Sequence, residues 1–336
     1  MWWAGVGWRG GDLEVAVVDA AGVQTVPATR FAARDLPQLI GFLHGSGDRI
    51  RVVLDSSTGM VDGHLLAAGL DVFRADPPLL PARPSHGSVP AADLARRGAD
   101  EPAALHRLTV SSGALAGRED DYLDAIARSA PVERELTGAG RYLARGSGTA
   151  PEIALTFDDG PHPVFTPQVL DILARYQVPA TFFCVGINVA AYPDLVRRVA
   201  DAGHLVGNHT WSHPYLPDLT RDEVLRQVDA TAAALGTAGL STTLVRPPYG
   251  ARTPEALTWF AELGLTTVLW DIDTNDWSVP GTAAILDAAA TATAGSVLLM
   301  HDAGGDRTQT VAALPRILEN LLARGYRPVT VEELTR

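Results

Sequence analysis

The sequence predicts an α/β protein of two domains, on three observations. Its 336 residues exceed what one domain of typical size holds, and each half is long enough to bury a core. Strand-like and helix-like segments alternate from residue 152 to the end, the pattern of a mostly parallel sheet, open or closed into a barrel. A run of small, flexible residues at 144–151, ARGSGTAP, divides two periodic regions and predicts domains at 1–145 and 150–336.

The elements follow in order. In the front half, apolar runs at 3–8, 13–19 and 22–26 predict three strands, followed by a helix near 35–44 and a strand at 50–54. A helix at 60–69 and a short strand at 71–74 come next, and the Pro-rich stretch 76–90 reads as a loop within this half. A helix at about 119–137 leads to the break. The second half opens with a strand at 153–157, a helix at 166–176 and a strand at 180–185. Leu195, Val196 and Val199 share one face of a helix at 193–202, before a strand from 205 to 207. Helices at 221–236, 253–263, 282–291 and 308–324 alternate with strands at 243–246, 266–271, 296–300 and 328–331.

Composition narrows the function. Apolar residues make up 46% and charged residues 20%, an ordinary globular profile. The net charge is -12, and all 27 basic residues are Arg. Before Gly148 there are 15 Arg against 18 acidic residues, and from there on 12 against 21. Neither half is basic, which argues against nucleic acid as the partner. The single Cys184 excludes an intrachain disulfide and a thiolate metal cluster, and within 181–185 it reads as a buried small hydrophobe. The apolar stretch 283–300 contains Asp287 and three hydroxyl residues, so it reads as a helix and a buried strand rather than a membrane span. The amino-terminal MWWAGVGWRGGDLEV lacks the pattern of a secretory signal, and the expectation is a cytoplasmic protein.

In a parallel α/β sheet the chemistry gathers at the carboxyl ends of the strands. Five polar clusters fall there. Asp158 and Asp159 open TFDDGP, where strand alternation sends two neighbouring carboxylates in different directions. His209 and His213 in HTWSH lie four apart, on one face if the segment is a helical turn, and with one carboxylate they form a three-ligand divalent metal site. Arg246 in RPPYG adds a fixed cation on a stiff turn. DIDTNDW contributes three carboxylates and an indole, and His301 ends the apolar strand within LLMHD. Each cluster alone has a bland structural reading, such as a turn, a loop salt bridge, an acidic cap or a satisfied histidine. Five in succession at strand ends point to a site.

Taken together, TFDDGP, HTWSH, RPPYG, DTNDW and LLMHD resemble the five motifs of the polysaccharide deacetylases with the NodB-homology domain, carbohydrate esterase family 4, over residues 150–336. The resemblance implies a distorted (β/α) barrel and metal-dependent removal of acetyl groups from N-acetylated, sometimes O-acetylated, sugars. It assigns Asp159, His209 and His213 to one divalent metal, usually Zn2+, with Co2+, Mn2+ or Ni2+ as alternatives. Asp158 becomes the general base, held by Arg246, and His301 the general acid, kept protonated by Asp276. The Tyr249 backbone N–H becomes an oxyanion donor. Trp277 and Leu299 line the pocket for the acetyl methyl. Leu205 departs from the family, many of whose members carry an acidic residue there. Family members that act outside the membrane make an extracellular site the alternative to the cytoplasm, and an O-acetyl esterase is the alternative activity.

The βββαβαβ order of the front half resembles an RNase H-like domain. GVGWRGGDLEVAVVDAAG, VVLDSSTGMVDGHLLAAGLDVFRADP and AADLARRGA resemble the amino-terminal domain of DEDD-type insertion-sequence transposases. Those enzymes carry a magnesium-binding Asp on the first strand, where this chain has Gly7. Asp55 and Asp93 stand near the other acidic positions. The expectation is a non-catalytic module, with a nucleic-acid-binding protein as the competing class.

Overall fold

Two sheets organise the molecule, and their connections differ. The computed structural model describes residues 2–47, 49–84 and 86–335. The front sheet contains β1 (Trp2–Arg9), β2 (Asp12–Val18), β3 (Gln24–Ala32), β4 (Ile50–Asp55), β5 (Asp71–Ala75) and β6 (His106–Arg107). Its strand order is β3-β2-β1-β4-β5-β6. The first three strands form an antiparallel meander, β4 and β5 lie parallel to β1, and β6 returns antiparallel. Helix Ala91–Asp100, absent from the sequence expectation, lies against β1. Gly5 permits this approach, because a Cβ there would fall 1.9 Å from the Ala91 carbonyl oxygen.

The second sheet is entirely parallel. It comprises β7 (Tyr142–Leu143), β8 (Glu152–Asp158), β9 (Thr181–Cys184), β10 (Leu205–Asn208), β11 (Leu244–Val245), β12 (Thr266–Val268), β13 (Ile272–Asp273), β14 (Val297–His301) and β15 (Arg327–Val329). The order is β13-β14-β8-β9-β10-β11-β12-β7, with β15 beside the first part of β8. The pairing path does not close between β13 and β7 among the described residues, so the sheet is a curled half-barrel covered by helices. β8 is buried along nearly its whole length, as a central strand with both faces covered must be. Helix Arg221–Thr237 starts where sequence chemistry dictates, with Thr220 and Glu223 forming a reciprocal capping box.

The boundary of the second unit differs from the expectation. Helix Glu119–Gly138 packs on helix Pro254–Glu262, and β7 pairs with β12. The flexible 144–151 stretch therefore lies within the second unit. Tyr142 and Leu143 are buried apolar residues, and the free edge of β12 satisfies both their side chains and their backbone groups. The expected strand at 266–271 is also shorter: after Val268 the chain leaves the sheet and rejoins it as β13. Helices Gly186–Ala191 and Val331–Leu334 were not legible as periodic patterns. No helix is long and apolar enough to cross a membrane among the described residues.

Candidate active site

Every predicted cluster sits at the carboxyl end of its strand. Asp158 ends β8, Asp159 follows it, His209 follows β10, Arg246 follows β11, Asp276 lies just beyond β13 and His301 ends β14. The backbone there is bent into an uncommon region. Asp159, Thr210, His213, Tyr249 and Asn275 all have φ between 52° and 75° without being glycine. Such conformations cost on the order of 1–3 kcal/mol each and collect where geometry serves a site. They also correct one expectation: the four-residue spacing of His209 and His213 does not lie on a helical turn. Left-handed Thr210 and His213 fold the segment instead.

That fold is fastened from behind. Gln227 accepts hydrogen bonds from the Trp211 and Ser212 backbone N–H groups at 2.8 and 2.9 Å. The His209 Nδ1–H donates to the Arg246 carbonyl at 2.7 Å, which leaves the Nε2 lone pair facing the site. His209 Nε2 and His213 Nε2 lie 3.6 and 3.2 Å from Asp159 Oδ1. This oxygen is buried and has no hydrogen-bond partner among the described residues. One ligand atom from each of the three residues falls within 4.8 Å of the others. Burial pushes His209 and His213 down to about 4, so both are neutral donors at neutral pH. For Asp159 burial opposes ionisation, but His213, His301 and His209, all cationic at the low pH where this carboxyl titrates, together with Arg307 hold it at about 2. An anionic oxygen without a hydrogen bond, facing two neutral imidazoles, fits a divalent cation.

On one side of this cradle stands Asp158, buried and ion-paired through Oδ1 to Arg246 Nη1 at 2.7 Å. Burial raises its pKa above the ordinary carboxylate value despite the guanidinium. Arg246 is itself fully buried, and it donates to Thr156 Oγ1 and to the Val268 and Leu269 carbonyls. It lies 4.1 Å above the Phe183 ring centroid. On the other side stands His301. Burial alone would lower its pKa, but Asp276 Oδ1 at 2.7 Å from Nδ1 raises it to about 9. Asp276 is fixed in turn by Thr310 Oγ1 at 2.6 Å and the His301 backbone N–H at 2.9 Å. Tyr249, Trp277 and Leu299 line the same cavity as Asp158, Asp159, His209, His213 and His301, while Arg246 and Asp276 act from behind it.

The cavity also has walls that motif reading missed. Arg307 ties the fourth and fifth clusters together by donating to the Asp276, Ala303 and Gly304 carbonyls. Asp62, from the front half, and Tyr122, from helix Glu119–Gly138, face the same space. Burial raises Asp62 to about 7. No spacing rule singles these residues out, because each is a lone polar residue brought in by folding. Asp302 accepts from the Thr166 hydroxyl beneath the Gly160 turn, and Asp306 accepts from the Thr308 N–H and lines the cavity. Cys184 is buried and free.

A neutral two-imidazole, one-carboxylate cradle, flanked by a second carboxylate and an imidazolium on a half-barrel, defines a metal-dependent hydrolase. Comparison with known proteins agrees. Residues 145–268 match the polysaccharide deacetylase family profile. A chitooligosaccharide deacetylase of Sinorhizobium fredii is 45% identical over 199 residues, which is 55% of this chain and 93% of the relative. A peptidoglycan-N-acetylglucosamine deacetylase of Bacillus cereus is 42% identical over 187 residues, covering 88% of that protein. The solved structure of the Bc1960 peptidoglycan N-acetylglucosamine deacetylase superposes with a TM-score of 0.58 at 36% identity, over 60% of this chain and 95% of that one. The chain belongs to the polysaccharide deacetylase family.

Proposed function

We propose that the protein is a carbohydrate deacetylase that hydrolyses the amide of an N-acetylated sugar with the aid of one divalent metal. The observation that carries this reading is the unpartnered Asp159 oxygen facing two neutral imidazoles, with Asp158 and protonated His301 on either side. Asp159, His209 and His213 would hold the ion, and Zn2+ suits their donor set best. A divalent ion held there lowers the pKa of water and polarises a carbonyl.

The chain's own groups supply the proton movements. Asp158 accepts the proton of the attacking water at Oδ2, while Oδ1 stays engaged with Arg246. Its raised pKa makes it a better base than an exposed carboxylate. His301 delivers a proton from Nε2 to the departing sugar nitrogen, and Asp276 on Nδ1 keeps the imidazolium charged up to about pH 9. The left-handed Tyr249 turns its backbone N–H toward the developing oxyanion, and Trp277 and Leu299 enclose the methyl. Protonation of nitrogen by a strongly held imidazolium favours the amide over an O-acetyl ester, whose leaving alkoxide has less need of a prior proton.

The front half reads as an RNase H-like module without nuclease chemistry. A Cβ at Gly7 would fall 2.2 Å from Ser88 Oγ, which accepts the Trp8 N–H, so the place of a metal-binding carboxylate is filled. Asp55 spends both oxygens on Ser57, Thr58 and the Val89 N–H. Acetate release from N-acetylated and O-acetylated sugars, with and without a chelator, tests the assignment. Metal-dependent release from the amide substrates is expected, and chelator-insensitive release would refute it.

A further inference from the structure

The metal cradle has a roof, and the front half builds it. The His64 ring stacks on His162, just beyond the Asp158–Asp159 pair, with centroids 5.6 Å apart. Gly59 presses on the next two clusters, since a Cβ there would lie 2.3 Å from the His213 carbonyl oxygen and 2.0 Å from the Tyr249 hydroxyl. At Gly113 a Cβ would stand 3.5 Å from the Trp277 ring, and at Gly63 it would meet the Gly304 carbonyl oxygen at 2.0 Å. The front half therefore touches all five loops that surround the cradle.

The attachment is continuous. Met60 N–H donates to the Ser212 carbonyl at 3.3 Å, Ser212 Oγ to the Ser57 carbonyl at 2.7 Å, and Tyr215 N–H to the Ser56 carbonyl at 2.9 Å. Trp211, in the metal-binding turn itself, is buried in the apolar cluster of the front sheet. What remains over the cradle is a cavity of about 480 Å³, within the roughly 300–1,000 Å³ typical of small-ligand sites. Its front wall combines Leu66, Val110 and Leu115 with the hydroxyl residues Thr109 and Ser112 and one carboxylate, Asp62, at the start of helix Asp62–Ala67. Asp62 Oδ1 accepts its neighbour's N–H, and the side chain has no salt-bridge partner among the described residues.

We propose that the front half is part of the active site and restricts the substrate to a free N-acetylated mono- or disaccharide, with Asp62 binding a sugar hydroxyl. A residue within a polysaccharide continues through glycosidic bonds in two directions and needs a groove open at both ends. A roof resting on all five loops denies it that passage. Asp62 is the one carboxylate on this wall, beside the hydroxyl residues Thr109 and Ser112, and it supplies the oriented polar contact a small sugar requires. This inference rests on the deacetylase reading above.

The test compares N-acetylglucosamine, di-N-acetylchitobiose and penta-N-acetylchitopentaose on the full-length, Zn2+-loaded protein, by acetate release and by calorimetric binding. The mono- or disaccharide is expected to exceed the pentasaccharide in kcat/KM by about tenfold or more, and to bind more tightly. Asp62→Asn should raise KM for the disaccharide by about tenfold with little change in kcat. Leu115→Ala, which trims the roof without touching Asp62, should narrow the gap to the pentasaccharide. Equal or better turnover or binding of the pentasaccharide would overturn the inference. If no sugar releases acetate, the deacetylase reading fails and the binding arm alone decides: a preference for the short sugars upholds the roof, and its absence refutes it.

Discussion

The two halves meet at one cavity but contribute to it in opposite ways. The second half brings reactive groups held by redundant buried contacts: Arg246 alone donates five hydrogen bonds, to Thr156, Asp158, Val268 and Leu269 through its three side-chain nitrogens and to Asn208 through its backbone N–H, and its carbonyl accepts one from His209. The front half brings mostly backbone and apolar wall, at Gly59, Gly63 and Leu66. The difference teaches that chemistry and access are encoded separately here. Substitutions in the second half should therefore act on kcat or on folding, and those in the front half on which sugar reaches the metal.

The largest effect should come from the cradle and its base. Asp158→Asn removes the proton acceptor, and acetate release is expected to fall by about 10²–10⁴-fold. A stopped acetate assay at saturating substrate checks it. Chelation should abolish turnover, and adding Zn2+ back should restore it while raising the thermal midpoint, because the ion binds only the folded cradle. Asp159→Ala should lose that midpoint shift.

Next comes Arg246→Met. It leaves Asp158 buried without its cation, and breaking such a pair costs about 3–5 kcal/mol. Urea unfolding reads this directly. The acidic limb of the rate profile should also move up, since the guanidinium is what restrains the Asp158 pKa.

Asp276→Asn should lower kcat and draw the basic limb down from about 9 toward the ordinary histidine value of 6.5. A pH–rate series measures it. The same pair has a stability consequence. The raised His301 pKa contributes stability that is complete below about 6.5 and is lost as pH rises through about 9. In the Asn variant this alkaline loss should flatten.

The smallest effect belongs to the helix packed on the front sheet, Ala91–Asp100. Asp93→Asn touches only a half-exposed Arg96 pair, and it should leave both stability and acetate release within about 0.5 kcal/mol of the parent. Magnesium-dependent DNA cleavage by the parent protein would erase the contrast between the halves.

Much of the second half was legible because its signals are local. The helices at 193–201, 221–237 and 308–323 announce themselves through apolar spacing, and most site residues sit next to a strand whose apolar run is visible. The helical reading of His209–His213 failed because spacing of four is shared by a helix and by a turn with two left-handed residues. Tyr142 and Leu143 were placed with the front half because two residues are too few for periodicity, and their strand exists only against β12. Gln227 and Arg307 position the site from helical or turn locations that look ordinary in one dimension.

The sequence by itself determined the α/β class, most of the strand–helix succession, and the five polar clusters at the strand ends. Side-chain chemistry and alternating periodicity are properties of short stretches, and neighbouring residues suffice to express them. Only the tertiary structure decided that Asp62, Gly59 and Gly63 stand over the cradle, that burial raises the Asp158 pKa against Arg246 while Asp276 raises that of His301, and that loops and a helix of the front half line the cavity. Those are matters of distance and burial between residues far apart in the chain, and the free energy that brings them together comes from burying apolar surface within the second half and between the two halves.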